Sequence, residues 1–135
     1  MELLFTNIYV TYYFDSENSC VEEHWKKETE QMTSEGIKDA MNALCMIFEN
    51  HHASAFLSNA KDFYFRISPP MQKWIDDTVA PVAIKNGMKK IARVLSDDFI
   101  SQLSLEQFVE EQRTASVRNK FFKTLDEARL WIATS

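Results

Sequence analysis

The chain has 135 residues, and its 20 acidic and 15 basic side chains give a formal net charge of -5. This length fits a single domain over residues 1–135, and 45% hydrophobic residues are enough for a proper core. The negative balance argues against nucleic acid as a partner, because phosphate binding needs a basic face. The chain has two glycines, Gly36 and Gly87, which excludes a Walker loop and a dinucleotide-binding fingerprint.

No segment of the sequence has the pattern of a membrane span or a signal peptide. The opening residues MELLFTNIYV lack a basic n-region, and no apolar stretch approaches the ~20 residues that cross a bilayer. A sequence pI near 5.2 fits a cytoplasmic protein. Cys20 and Cys45 each fall in an apolar pattern, so we expect reduced, buried thiols rather than a disulfide.

Alternating residues at the start of the chain predict a β-hairpin. Residues 4–14 are rich in Ile, Val, Tyr and Phe, which favours one strand with both faces covered. Residues 15–19 are a turn cluster, and residues 20–26 alternate again. The two segments are therefore predicted to pair in antiparallel fashion.

A long amphipathic helix is predicted after the hairpin. Thr33 or Ser34 caps it, and its inner face consists of Ile37, Ala40, Met41, Leu44, Cys45 and Phe48. The helix ends near residues 50–52, and the apolar run 53–57 predicts a third strand. Residues 58–67 form the longest irregular connection.

The segment 68–95 predicts a capped helix, a turn and a buried strand. Ser68 is a good N-cap, because its hydroxyl can accept a bond from a free amide in the first helical turn. Pro81 removes a backbone donor, so we expect a kink or a break near residues 77–80. Gly87 favours a helix stop, and residues 91–95 are typical of a central strand. The inner face of the helix consists of Met71, Trp74, Ile75, Val79 and Val82.

The last third of the chain predicts further helices and one strand. Ser96 opens a helical region with a second cap at Ser104, and residues 117–123 form the last strand. Thr124 caps the closing helix, and Glu127 completes a capping box. The order β-β-α-β-α-β-α-β-α predicts a single-domain α/β fold with a mixed five-stranded sheet, in which the hairpin precedes a parallel core.

The dipeptides Trp25-Lys26, Ser68-Pro69 and Trp74-Ile75 resemble motifs of the SpoIIAA-like proteins of the STAS/SEC14 group. In that group a strand ending in a Trp-Lys-type pair leads to a helix, a strand and a loop, and the next helix opens with Ser-Pro and carries a Trp. Segments 81–84, 87–92 and 124–131 are similar to the elements that follow.

The resemblance implies a STAS-type α/β fold and a non-enzymatic role. In one branch of the group a partner kinase phosphorylates a Ser at the start of the helix after the third strand. Ser68 is the first phosphorylation candidate here, with Arg66 or Lys61 to pair with the phosphate, and Ser58 is the second. A plain helix cap also explains Ser68. The chain has Asn59 where many relatives have an Asp, and it lacks the Asp-Ser-Gly context of the phosphorylated branch.

The remaining polar clusters predict no metal, cofactor or catalytic site. His24, His51 and His52 lack the spacing of metal ligands. Asp76 and Asp77 are neighbours on a predicted helix, which is more typical of a solvated face than of an acid/base pair. We therefore expect a protein without cofactors and without enzymatic activity.

Three consecutive aromatic residues stand in the connection before Ser68 and cannot all face one core. At least one of them is therefore predicted to be exposed or to line a cleft. The functional interpretation is a surface for a partner or a lipid-like ligand, and the alternative is that the segment folds back over the sheet edge. The residues of this surface are Phe63, Tyr64, Phe65, Arg66, Met71 and Trp74.

These patterns favour a non-catalytic STAS-like domain that acts through contacts with a protein partner, in a regulatory or signalling role. The alternative is a carrier or sensor of a small apolar ligand, and an enzyme is the third hypothesis. A closed apolar cavity would favour the carrier. A flat apolar surface repeated across a two-fold axis would favour a homodimer, and convergent polar groups in a cleft would favour an enzyme.

Overall fold

The computed structural model describes residues 1–104, 108, 110–114 and 116–134. This part of the chain contains one mixed sheet with helices on both faces. The strands are β1 (Glu2–Thr6), β2 (Val10–Asp15), β3 (Cys20–Trp25), β4 (Ala55–Asn59), β5 (Lys90–Val94), β6 (Gln112–Thr114) and β7 (Val117–Phe122). The helices are α1 (Ser34–His51), α2 (Pro69–Lys85), the short α3 (Asp97–Ile100) and α4 (Leu125–Ala133), and a 3-10 turn (Lys27–Gln31) precedes α1.

The spatial order of the strands is β1-β2-β3-β4-β5-β7-β6. Strands β3, β4, β5 and β7 are parallel, whereas β1 and β2 pair antiparallel on one side and β6 pairs antiparallel with β7 on the other. The predicted α/β architecture, with a hairpin leading into a parallel core, is confirmed. In the parallel core, α1 joins β3 to β4 and α2 joins β4 to β5, as parallel pairing of successive strands requires.

The predicted number of five strands is wrong, because the described residues form seven. Residues 4–14 are not one strand. Asn7 Oδ1 accepts hydrogen bonds from the amides of Tyr9 at 2.8 Å and Val10 at 2.9 Å, and this side-chain turn separates β1 from β2. The other missed strand, β6, has three residues, too few for a period of two to be recognised.

Helices α1 and α2 pack together on one face of the sheet, over the larger core. This larger core includes the buried side chains of Tyr12, Val21, Ile37, Leu44 and Phe48. Helix α4 packs on the opposite face against β4, β5 and β7. Lys90 of β5 reaches the end of α4, where its ammonium donates to the carbonyl oxygens of Trp131 and Thr134. A cation at this end of a helix satisfies free carbonyls and complements the helix dipole.

Helix α2 begins as the sequence predicts but does not break. Ser68 Oγ accepts a hydrogen bond from the Met71 amide at 3.3 Å, and the helix then continues through Pro81 to Lys85. Of the kink or break predicted near residues 77–80, the break is therefore wrong, and the kink stays a prediction. Val79 and Val82 flank the proline and pack against the larger core, which holds the chain helical although Pro81 donates no bond.

Most of the remaining elements agree with the sequence pattern, although Thr33, at the N-cap of α1, accepts no capping hydrogen bond through its side chain. Gly87 has a φ of 107°, and β5 lies in the sheet interior between β4 and β7. Thr124 Oγ1 accepts from the Glu127 amide at 3.2 Å, as a cap should. The helix predicted after Ser104 lies largely outside the described residues.

Both cysteines are free thiols, with Cys20 buried and Cys45 half-buried. Within the described residues, no helix combines the length and the apolar character needed to cross a membrane.

Candidate functional site

A row of four polar side chains crosses the middle of the sheet. Tyr12 of β2 is opposite Glu23 of β3, which is opposite Ser58 of β4, which is opposite Arg93 of β5. Residues that are directly opposite share one face of a sheet. The polar row therefore lies on the face that α1 and α2 cover, close to the carboxyl ends of the parallel strands, where α/β folds commonly hold their sites.

Glu23 is the centre of the polar row and is 4% exposed. Its Oε1 accepts hydrogen bonds from Ser58 Oγ and from Trp25 Nε1, both at 2.7 Å. Its Oε2 lies 2.9 Å from Tyr12 Oη, which also lies 3.1 Å from the carbonyl oxygen of Ala40 in α1. The carboxyl group thus connects three strands with a helix.

The surroundings of Glu23 disfavour its charged form. Burial raises the pKa of this carboxyl group, and the hydrogen bonds from Ser58, Tyr12 and Trp25 lower it by less than burial raises it. Burial also raises the pKa of the Tyr12 phenol well above its usual value. Burial therefore favours the protonated, uncharged forms of both the Glu23 carboxyl group and the Tyr12 phenol.

A second polar network occupies the other face of the same strand. Glu22 accepts two hydrogen bonds from Arg129 of α4, from Nε at 3.0 Å and from Nη2 at 2.9 Å. Glu22 Oε1 also lies 2.8 Å from His24 Nε2, and Asn59 Nδ2 lies 3.2 Å from His24 Nδ1. Burial raises the pKa of Glu22, but the bonds from His24 and Arg129 outweigh burial and lower this pKa to about 2.

An open groove of about 570 Å³ lies on this second face, between the β2–β3 turn and α4. Leu57 and Ile132 are buried apolar residues of its lining, whereas Leu130 is 68% exposed. Met1 also lines the groove and is 67% exposed. A surface that keeps large apolar side chains this exposed beside a depression is typical of an interaction site.

The groove carries an unbalanced charge. The carboxylates of Asp15, Glu17 and Asp126 line it. Among the described residues that line it, Arg129 is the one basic residue, and Glu22 already binds the guanidinium through both oxygens. The groove therefore presents negative charge around an apolar lining.

The aromatic residues predicted to form a surface alternate along an extended segment. Phe63 and Phe65 are half-buried, while Tyr64 is 53% exposed and Arg66 is exposed. Phe63 packs edge-on against Trp25, with 4.8 Å between ring centroids, and the Tyr64 amide donates to Thr29 Oγ1 at 2.9 Å. At least one aromatic residue is exposed, as the sequence predicts. The segment is held through Phe63 against Trp25 at the end of β3 and through the Tyr64 amide against Thr29.

Met71 and Trp74 are half-buried on α2 and pack against the same core as Phe63 and Phe65. The ammonium of Lys38 lies 6.0 Å from the Trp74 ring. The structure thus gathers four of the predicted surface residues on the face of α1 and α2. The groove lies on the opposite face, so the two surfaces are separate.

The two serine candidates have different surroundings. Ser68 is exposed and caps α2. Ser58 is 7% exposed, and its hydroxyl donates to the enclosed Glu23. Phosphorylation of either residue stays a prediction, and Ser68 is the one that a kinase can reach without opening the sheet.

Sequence reasoning missed the roles of Glu22, Glu23 and Arg129. A signal was present, because Glu23 alternates with Val21 and Trp25 on an apolar side of β3. A carboxyl group in such a pattern predicts a buried, hydrogen-bonded acid. Among the described residues, no group of His, Cys, Asp and Glu is arranged to hold a metal ion.

Comparison with known proteins identifies no relative. The sequence matches no protein family, and neither the curated proteins nor the solved structures include a significant match. Kinship with the SpoIIAA-like group therefore stays a prediction from the motifs.

Proposed function

We propose that this chain is a non-catalytic, STAS-like domain that binds a partner protein in the groove beside α4. The observation that carries the proposal is the combination of exposed apolar side chains, above all Leu130, with the carboxylates of the groove. Apolar contacts supply most of the affinity of such sites. Complementary charge supplies orientation and association rate.

The chemistry of the groove specifies the kind of partner segment that fits. Its carboxylates at Asp15, Glu17 and Asp126 repel acidic segments, and they attract lysine and arginine side chains. The exposed side chains of Leu130 and Met1 offer contacts to apolar residues between those cations. The proposed occupant is therefore a basic, amphipathic segment of another protein.

The environment of the polar row supports a non-catalytic role. Ser58 is the hydroxyl nearest to a possible base, but both it and Glu23 are buried under α1 and α2. A substrate would have to displace a helix to reach them. On the other face, His24 is held between Glu22 and Asn59, with 22% of its side chain exposed, and this arrangement orients the ring rather than freeing it.

The carrier hypothesis has less support. Phe63 and Phe65 contact each other, with ring centroids 6.4 Å apart, and pack against the core. Their inner surfaces are thereby used in folding. Titration with a fluorescent fatty acid distinguishes the hypotheses, because saturable binding that Phe65→Ala abolishes in a folded protein would favour a carrier.

The groove is tested by titrating the isotope-labelled protein with a synthetic peptide in which lysines alternate with leucines, while amide resonances are followed by NMR. We expect saturable shifts at Cys20, Leu57 and Leu130, with affinity that falls as salt is added. A peptide with glutamates in place of the lysines is the matched control and should not bind. Shifts scattered over the whole surface, or equal binding of both peptides, would overturn the proposal.

Two variants separate the apolar contribution from the charge contribution. Leu130→Ser and Asp126→Lys replace exposed residues, so neither should change stability much. We expect each to weaken peptide binding by about tenfold, which corresponds to about 1.4 kcal/mol. Tyr64→Ser, on the other side of the sheet, is the control and should bind as tightly as the unaltered chain.

A further inference from the structure

We infer that Glu23 keeps a proton in the folded protein at neutral pH, and that this proton lies on Oε2 and is donated to Tyr12 Oη. The carboxylic acid then acts as a proton-dependent link between the sheet and α1. Loss of the proton breaks the link, which makes the polar row a pH-sensitive device. This inference is independent of the groove and of the function proposed for it.

The Tyr12 hydroxyl has one proton but lies within hydrogen-bond distance of two other oxygens. It lies 2.9 Å from Glu23 Oε2 and 3.1 Å from the carbonyl oxygen of Ala40. A phenol has one proton, so it can donate fully to one of these two acceptors. If Glu23 Oε2 carries a hydrogen, it donates to Tyr12 Oη, and Tyr12 donates to Ala40. Every close oxygen–oxygen contact then has its own proton.

The two oxygens of the Glu23 carboxyl group have different hydrogen-bond partners. Oε1 accepts from two donors, Ser58 Oγ and Trp25 Nε1, at 2.7 Å each. Oε2 has Tyr12 as its hydrogen-bond partner. Such an arrangement is typical of a carboxylic acid, with a carbonyl-like oxygen that accepts and a hydroxyl oxygen that donates.

The charged groups around the row do not replace the proton. Arg93 of β5 attracts the carboxylate, but Arg93 is exposed and is also attracted to Asp76 of α2. Its attraction is the smallest of the effects that lower the pKa of Glu23, and together these effects lower the pKa by less than burial raises it. From α1, the half-buried Cys45 thiol raises the pKa of Tyr12 further, as burial and Glu23 do.

The sign of the pH dependence follows from linkage. Burial raises the pKa of Glu23 in the folded state above the ordinary 4.5, so the folded state holds this proton more tightly than the unfolded chain. The stability that the proton supplies is fully present below the unfolded pKa, and it is lost as pH rises through the folded pKa. Within that window the unfolding constant should rise by up to about tenfold for each pH unit.

The decisive variant is Glu23→Gln, because an amide reproduces the protonated acid. Its oxygen can accept from Ser58 and Trp25, and its NH2 group can donate to Tyr12. We expect Glu23→Gln to unfold at the same or higher urea concentration than the unaltered chain near neutral pH. The dependence of its stability on pH through the neutral range should be weaker.

Glu22→Gln is the matched control, since it alters the neighbouring carboxylate that Arg129 holds in the charged form. It should lose stability near neutral pH. If Glu23→Gln instead destabilises the protein as Glu22→Gln does, and leaves the pH dependence of unfolding unchanged, Glu23 is ionised and the inference is wrong.

Infrared spectroscopy gives a readout that does not depend on how the variants fold. The unaltered protein near neutral pH should show the C=O stretching band of a protonated carboxylic acid, which should persist in Glu22→Gln. The band should disappear, together with part of the stability, as the pH is raised through the folded-state pKa. Absence of any such band at neutral pH would refute the inference, even if Glu23→Gln does not fold.

Discussion

Glu22 and Glu23 are consecutive residues of β3, and their carboxyl groups lie on opposite faces of the sheet in opposite electrostatic surroundings. The Arg129 guanidinium donates hydrogen bonds from Nε and Nη2 to the two carboxylate oxygens of Glu22. Glu23 is surrounded by Tyr12, Trp25 and Ser58. On one strand, the Arg129 guanidinium thus favours the ionised form of Glu22, whereas burial favours the protonated form of Glu23.

We expect Glu22→Gln to destabilise the protein above about pH 4.5 and to have a declining effect in acid. The folded-state pKa of Glu22 is lowered from 4.5 to about 2, so its ionisation favours folding above the unfolded pKa. This contribution is lost as pH falls from 4.5 towards 2. Its size is roughly 3 kcal/mol. Urea unfolding at neutral and at acidic pH measures it.

Glu127→Gln is the control for that measurement, because Glu127 is exposed on the same helix as Arg129. Its stability should stay close to that of the unaltered chain at both pH values. An equal loss from Glu22→Gln in acid and at neutral pH would show that the ion pair does not cause the effect.

Phe63→Ala and Tyr64→Ala should have very different effects, although the two residues are neighbours. Phe63 is half-buried, packs edge-on against Trp25 and belongs to the larger core, so its removal should cost about 2–3 kcal/mol. Tyr64 is 53% exposed, and its removal should cost at most about 0.5 kcal/mol. Thermal unfolding of the two variants checks the contrast, which equal losses would contradict.

Replacement of Ser68 separates its role as a helix cap from a role in regulation. Ser68→Ala removes the acceptor for the Met71 amide and should cost about 1 kcal/mol. Ser68→Asp supplies another acceptor and a negative charge at the helix N-terminus, so it should retain the stability. Calorimetry compares the variants. Unchanged stability in Ser68→Ala would mean that the cap does not support α2.

Gly87→Ala tests the turn between α2 and β5. The residue has a φ of 107°, a conformation that side chains rarely adopt. A Cβ atom at this position would be 3.9 Å from the His52 carbonyl oxygen, an ordinary contact, so the cost is conformational rather than steric. We expect a loss of about 1 kcal/mol in urea unfolding. Lys85→Ala, at the exposed end of α2, should be nearly neutral.

Local patterns predicted the elements whose signals are contained in a few residues. The caps at Ser68 and Thr124, the turn at Gly87 and the parallel core strands all follow from spacing and side-chain chemistry. The errors have local and tertiary causes. Asn7 divides a continuous apolar run by bonding its own neighbours, and α2 passes Pro81 because packing against the core outweighs one missing hydrogen bond.

Alternation along β3 by itself determined that Glu22 and Glu23 point to opposite faces, since successive side chains of a strand must diverge. Only the tertiary structure decided which carboxyl group is charged. Arg129 stands 107 positions from Glu22, and Ser58 stands 35 positions from Glu23. No periodicity links residues so far apart. The pairings exist because α4 packs against β4, β5 and β7 on one face of the sheet, from which Arg129 reaches Glu22, while α1 and α2 cover the other face.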